Sequence, residues 1–195
     1  MKIDTFNILL GFSVLLTTYG CTVKPAVNTE SLPVLGEIES KSLITDQSKS
    51  IAVLLPEAKF SKASTANPLV SSHPAACASG EHEVQLVRLN KKVNAATIKQ
   101  ELDNAGMVPA NFAVLLQYAT QYPDDQLSRD IVSLQEIANK NQTTGYPFLA
   151  SYKDVLPGER EEKKLRSLHT KETYSSFSNK ATILAVRKDS PLSCL

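Results

Sequence analysis

With 195 residues, 42% of them hydrophobic, the chain is long enough for one globular domain and a flanking segment. Its 21 basic and 20 acidic residues leave a formal net charge of +1, so no overall field favours nucleic acid or an anionic surface. Tryptophan is absent, which disfavours a surface that stacks bases or sugar rings. We therefore expect no nucleic-acid partner.

The first 20 residues have the layout of an export signal. Ile8–Leu16 is apolar apart from Gly11 and Ser13, it follows the basic Lys2, and small or polar residues come after it. The run is shorter than the roughly 20 residues that a helix needs to cross a bilayer. Residues 1–20 are therefore predicted to be a signal peptide rather than a permanent transmembrane helix.

The end of this segment, Thr18-Tyr19-Gly20-Cys21, resembles the lipobox of bacterial lipoproteins, in which a small residue precedes a lipidated cysteine. The resemblance implies that Cys21 is acylated and becomes the mature N-terminus. It also implies a lipid anchor in the cell outer membrane, with the domain facing the periplasm, because Thr22 is not acidic. Two or more acyl chains give the stable anchoring that one chain does not. An ordinary cleaved signal and an uncleaved anchor are the alternatives.

Export bears on the other two cysteines, Cys77 and Cys194, because disulfides persist in oxidising compartments. With Cys21 acylated, these two form an even pair. A bridge that closes so long a loop would stabilise the fold by roughly 4 to 5 kcal/mol in the chain-entropy model. Two unpaired thiols are the alternative, since distance in sequence does not show whether the Cα atoms approach within about 7 Å.

Residues 21–75 are predicted to contain the lipidated cysteine and a flexible linker. Five prolines and many serines and threonines separate short apolar runs, a composition that buries too little surface to offset chain entropy. A linker of this length has a typical end-to-end distance of about 40 Å. One run, Ile51–Leu55, has the length and composition of a strand, which leaves open an edge strand, a strand given to a partner, or a short helix.

A globular domain is predicted over residues 76–195. Glu83–Leu89 has the composition of a mostly buried strand. Asn94 is suited to cap a helix, apolar residues recur after it at helical spacing, and Gly106 can supply the left-handed residue that ends it.

A second helix is predicted over Phe112–Gln121, between a capping Asn111 and the helix-breaking Pro123. Apolar residues occupy most of its faces, so this helix should be largely buried. Four segments that resemble strands follow: Ile131–Leu134, Tyr146–Tyr152, Leu165–Thr170 and Thr182–Arg187. The order predicts an α+β fold in which two helices are followed by a small antiparallel or mixed sheet, after a signal segment and a long linker.

Residues 93–188 resemble a loose group of uncharacterised bacterial and phage proteins. The resemblance lies in the order of Pro109–Leu116, Tyr122-Pro123, Tyr146–Leu149 and Ile183–Lys188. It implies a compact α+β domain that ends in the last of these segments, and it implies no known activity.

The sequence contains no motif that indicates catalysis. It has no G-x-S-x-G turn and no glycine-rich phosphate loop. His73, His82 and His169 are far apart in the chain, whereas zinc sites commonly take ligands in closely spaced pairs. We therefore predict no catalytic residue, no metal site and no cofactor.

An anchor, a linker and a domain without a catalytic motif together indicate a non-enzymatic binding or scaffold module. Its expected partners are the membrane, through the lipid, and an envelope protein, in an envelope, secretion or conjugation apparatus. The alternative is a tethered ligand-binding or metal-dependent hydrolytic domain that uses His82 or His169 with nearby carboxylates.

Overall fold

The computed structural model describes residues 32–63, 76–138, 144–155, 157–158, 160–173 and 175–193. The predicted signal segment, the predicted lipidation site Cys21, His73 and Cys194 lie outside these ranges. Within the ranges, none of the helices combines the length and the apolar composition that spanning a bilayer requires.

The described residues alternate between strands and short helices. In chain order the elements are β1 (Leu35–Thr45), α1 (Ile51–Glu57), β2 (Lys62–Ala63), β3 (Gly80–Leu89), β4 (Val93–Asn94), α2 (Ala95–Asn104), β5 (Met107–Pro109), α3 (Phe112–Gln121), α4 (Asp125–Ser128), β6 (Asp130–Val132), β7 (Ile137–Ala138), β8 (Thr144–Val155), β9 (Glu162–Glu172), β10 (Ser176–Phe177) and β11 (Ala181–Arg187).

Nine of these strands form one mixed sheet, in the order β1-β3-β11-β6-β8-β9-β2, with β5 beside β11 and β7 beside β8. The pairs β11/β6 and β9/β2 are parallel, and the other pairs in the sheet are antiparallel. The strands β4 and β10 form a separate two-stranded ribbon. The last strand in the chain, β11, thus lies near the centre of the sheet.

Helices cover both faces of this sheet, which explains the unbroken apolar run of β11. Leu184 and Val186 pack in the core that contains α1 and α3, whereas Ile183 and Ala185 pack in the core that contains α2. Successive side chains of a strand point to opposite faces, so a strand buried on both sides must be apolar at every position.

The predicted fold class, two helices followed by a small antiparallel or mixed sheet, is wrong. The sheet is large, and four of its strands, β1, β2, β3 and β5, come before α3 in the chain. Contacts group Leu32–Leu195 into one compact unit, so the segment predicted to be a linker contributes β1, α1 and β2 to the domain. The polar composition of β1 suits an edge strand, whose side chains are largely left to solvent.

Tertiary packing also decides the conformation of the strand-like run at Ile51. These residues form α1, which buries Ile51 and Leu54, three positions apart, in the same core as α3. The composition of a short apolar run does not distinguish a strand from a buried helix, and here the helix spacing places both side chains on one face.

The two longer helices begin where the sequence predicts. The side chain of Asn94 accepts a hydrogen bond from the backbone N–H of Thr97 at 2.9 Å, and that of Asn111 accepts one from Val114 at 2.8 Å. Gly106 has φ of +74°, the left-handed conformation expected after α2. Eight of the ten residues of α3 are buried, which confirms the prediction of a largely buried helix.

The C-terminal half of α3 covers the free edge of β1. The side-chain amide of Gln121 accepts from the backbone N–H of Ile44 at 3.0 Å and donates to its carbonyl at 2.6 Å. One turn earlier, Gln117 accepts from the N–H of Asp46 at 2.7 Å and donates to its carbonyl at 3.4 Å. These amides take the place of a neighbouring strand and block edge-to-edge pairing at this end of β1.

We expect the double substitution Gln117→Ala with Gln121→Ala to promote association between copies of the protein. It leaves the backbone groups of Ile44 and Asp46 without these partners, and an unpaired edge can pair with another chain. Sedimentation velocity over a range of concentrations should show larger species than in the unsubstituted protein. Gln100→Ala, on the exposed side of α2, is the control and should change nothing; equal behaviour of the two variants would contradict the assigned role of the amides.

Candidate functional site

A cleft of about 410 Å³ opens at the end of the sheet where β3 ends and β6 and β11 begin. Thr182, near the start of β11, lies at its centre, because the sheet pairs it with Arg88 of β3 on one side and with Ile131 of β6 on the other. The segment Asn179-Lys180, just before β11, lines the same cleft. The volume is in the range of pockets that bind small ligands.

The short helix α4 and the residue after it form one wall of the cleft. Side-chain hydrogen bonds tie α4 to β8 and β9: Gln126 Nε2 donates to the carbonyl of Ala150 at 3.1 Å, and Lys164 Nζ donates to that of Leu127 at 3.3 Å. Leu127, Ser128, Arg129 and Lys164 therefore line the cleft at positions that the sheet determines.

Four of the five ionisable side chains that line the cleft are basic: Arg88, Arg129, Lys164 and Lys180, against the single carboxylate of Asp130. Arg88 lies 3.3 Å from Glu37, but both side chains are more than half exposed, so this ion pair is weak. Lys180 forms no ion pair with any residue that the structure describes. The cleft thus presents an excess of positive charge to solvent.

A half-buried carboxylate, Asp125, holds Arg129 in the wall of the cleft. Arg129 donates to Asp125 at 3.2 Å and to Glu39 of β1 at 2.8 Å. Asp125 also accepts a hydrogen bond from Lys41 Nζ at 2.8 Å and one from the hydroxyl of Tyr118. We call these five residues the Asp125 cluster; it joins β1, α3 and α4.

Electrostatics keep the Asp125 cluster charged at neutral pH. Burial by itself raises the pKa of Asp125, but hydrogen bonds from Lys41 and Tyr118 and the positive charges of Lys41 and Arg129 outweigh it and hold that pKa below its usual value. Burial raises the pKa of Tyr118, and the adjacent carboxylate of Asp125 raises it further. The hydrogen bond from Arg129 lowers the pKa of Glu39. Tyr118 is therefore the neutral donor in an otherwise ionised group.

Asp130 is the carboxylate within the cleft itself. The residue is exposed, yet the walls of the cleft partly desolvate its carboxylate, and this burial raises the pKa of Asp130. The charges of Lys171 and His169 act in the opposite direction and only partly offset the effect.

The hydroxyls of the cleft are positioned as backbone partners rather than as nucleophiles. Ser128 Oγ donates to the carbonyl of Asp125 at 2.8 Å, and Ser151 Oγ lies 3.5 Å from the carbonyl of Leu127. A serine nucleophile requires a base within hydrogen-bond reach, and neither hydroxyl bonds to a basic side chain here.

The described part of the chain includes only one of the cysteines singled out in the sequence. Cys77 is half-buried beside α3, with its Sγ 3.6 Å from Asn111 Nδ2. Cys77 is disulfide-bonded. Since Cys21 and Cys194 both lie outside the described residues, the pairing of Cys77 with Cys194 and the acylation of Cys21 stay predictions.

The two described histidines lie on opposite faces of the sheet. His82 pairs in register with Leu43, whose side chain packs in the α1 and α3 core. His169 stacks on Phe148, with ring centroids 5.3 Å apart, and Phe148 packs in the α2 core. Among the residues that the structure describes, no three His, Cys, Asp or Glu side chains are grouped so as to hold a metal. The histidines of the alternative hydrolytic site are thus not brought together.

The cleft and the Asp125 cluster are the sites that sequence reasoning missed. Their side chains come from seven separate stretches of the chain, so no local sequence motif indicates either site. Nothing in the sequence shows that Lys41 and Glu39 lie beside Asp125 and Arg129.

Comparisons of the chain with protein-family models, with curated proteins and with solved structures gave no significant match. What the site does is therefore inferred from its residues.

We expect Asp125→Asn to destabilise the protein near neutral pH by about 1 to 3 kcal/mol, because it leaves the half-buried Lys41 and the buried Tyr118 poorly paired. The low pKa of Asp125 means that its ionised form stabilises the fold above the ordinary aspartate value of about 3.9, and that this stabilisation is lost as the pH falls through the folded value. The cost of the substitution should therefore shrink below about pH 4.

Urea denaturation at a series of pH values measures this effect. Asp189→Asn, at an exposed position after β11, is the matched control and should change stability little at any pH. A cost of Asp125→Asn that stays constant down to the lowest pH would contradict the assigned role of the carboxylate.

Proposed function

We propose that the protein is a bacterial lipoprotein, anchored through Cys21 in the outer membrane, whose domain faces the periplasm and acts as a non-enzymatic binding module. It serves in an envelope, secretion or conjugation apparatus. The observation that carries the binding role is the cleft with four basic side chains and one carboxylate. The ligand of such a cleft is anionic.

The chemistry of the lining supports binding rather than turnover. Arg129 is fixed by Glu39 and Asp125, so its guanidinium is preorganised and loses little freedom when a ligand binds. Lys164 and Lys180 supply charge at the open side. The serine hydroxyls bond to backbone carbonyls, as described above.

The packing near Cys77 supports the proposed bridge to Cys194. Ala76, directly before Cys77, and Leu192, two residues before Cys194, are buried in the same core. Their shared core places the two segments against the same face of the sheet, and a disulfide requires in addition that the two Cα atoms approach within about 7 Å. The bridge would fasten the end of the chain to the segment that leads into β3.

Mass spectrometry of protein purified from the membrane fraction tests the proposal. The intact mass should show loss of residues 1–20 and addition of acyl chains, and a non-reduced digest should contain a Cys77–Cys194 peptide pair. Cys21→Ser should abolish acylation and release the protein from the outer-membrane fraction, whereas Ser31→Ala, further along the same segment, should not.

A mature protein that begins elsewhere and carries no fatty acid would overturn the anchor. A Cys77–Cys21 pair in the non-reduced digest would also overturn it, because that cysteine would not be available for acylation.

A further inference from the structure

The cleft lies at the end of the sheet where the chain enters the domain. Leu35, the first residue of β1, pairs with Leu89 of β3. The next residue, Asn90, also bonds to the start of β1: its N–H donates to the carbonyl of Val34 at 3.0 Å, and its Nδ2 donates to that of Leu35 at 3.1 Å. Arg88, one residue before Leu89, lines the cleft. The first described residues and the basic cleft therefore share one end of the molecule.

Few residues of the chain separate this end of the domain from the proposed lipid anchor at Cys21. Positions 21 and 32 are separated by 11 residues (32 minus 21), and a chain of that length spans at most about 36 to 40 Å when fully extended. A 55-residue linker would have allowed the domain to lie much further away. Since β1 begins at Leu35, a lipid on Cys21 restrains this end near the bilayer.

Basic residues adjoin the cleft at this end of the sheet. Arg88 and Lys180 in the cleft are accompanied by Lys91 and Lys92 in the segment that follows β3, and the acidic Glu37 lies beside Arg88. The opposite end, where Thr45 of β1 pairs with Gly80 of β3, is of mixed charge: Asp46 lies beside Lys49, and Glu83 lies near Arg187. An anionic membrane surface is therefore attracted to the cleft and to the lysines next to it.

We propose that the cleft faces the membrane to which the protein is anchored and binds the phosphate group of an anionic lipid headgroup. This inference rests on the proposed lipid anchor and names the ligand of the proposed binding site. The cations that line the cleft come from separate elements: Arg88 from β3, Lys164 from β9 and Lys180 from the segment before β11. Arg129, held by Glu39 and Asp125, lies in the same lining, so a bound phosphate has cations near it from several elements. Tethering raises the local concentration of headgroups at the cleft.

Lysine labelling of the full, acylated protein in lipid nanodiscs tests this. Discs rich in phosphatidylglycerol are compared with discs of zwitterionic phosphatidylcholine, and the acetylation rates of Lys164 and Lys180 are measured by mass spectrometry. Both should react about threefold or more slowly in the phosphatidylglycerol discs, because anionic headgroups occupy the cleft. Lys59, an exposed residue outside the cleft, should react equally in both.

A matched pair of substitutions locates the effect. Lys180→Gln and Lys59→Gln each remove one exposed positive charge, and neither side chain forms an ion pair with a described residue. The protection of Lys164 by phosphatidylglycerol should fall by at least about half in Lys180→Gln and persist in Lys59→Gln.

Three results would overturn the inference. Equal labelling of Lys164 in both kinds of disc, with the protein shown by intact mass to be acylated, would refute lipid binding and leave the anchor in place. Protection produced by inorganic phosphate on phosphatidylcholine discs, without any effect of phosphatidylglycerol, would assign the cleft to a soluble anion. Absence of acyl chains would overturn the proposed function, and the inference with it.

Discussion

The burial of α3 against the sheet is the constraint on which the rest of the structure depends. Phe112, Leu115, Leu116 and Tyr118 are fully buried, and each such side chain stabilises the fold by about 1.5 to 3 kcal/mol relative to an exposed one. Because most of the helix is buried, it packs against both the sheet and α1. Its polar groups must then find partners within the protein.

Those partners connect the core to the surface features. Gln117 and Gln121 bond to the outer edge of β1, and Tyr118, buried on the same helix, donates to Asp125. Asp125 in turn holds Arg129, which lines the cleft. The position of α3 thus determines where Arg129 lies in the cleft, through Tyr118 and Asp125, which do not line the cleft themselves. A substitution in the Asp125 cluster should affect both stability and binding for this reason.

Local interactions were predictable because they involve neighbours in the chain. Asn94 and Asn111 cap helices with hydrogen bonds to residues three positions later, and Gly106 ends α2 through its own backbone conformation. The strand-like segments after α3 also correspond to β6, β8, β9 and β11. The same reasoning failed at β1 and α1, since the polar composition of an edge strand resembles a linker and a five-residue apolar run suits a strand or a buried helix.

By itself, the sequence determined the two longer helices, the extensive burial of α3 and the apolar character of β11. The size of the sheet, the membership of residues 35–63 in the domain and the cleft were decided only by tertiary structure. The physical reason is that each depends on pairing between distant segments: β1 with β3, β11 with both β3 and β6, and Lys41 and Glu39 with residues that follow α3. Such long-range contacts leave no periodic signal in any local stretch of chain.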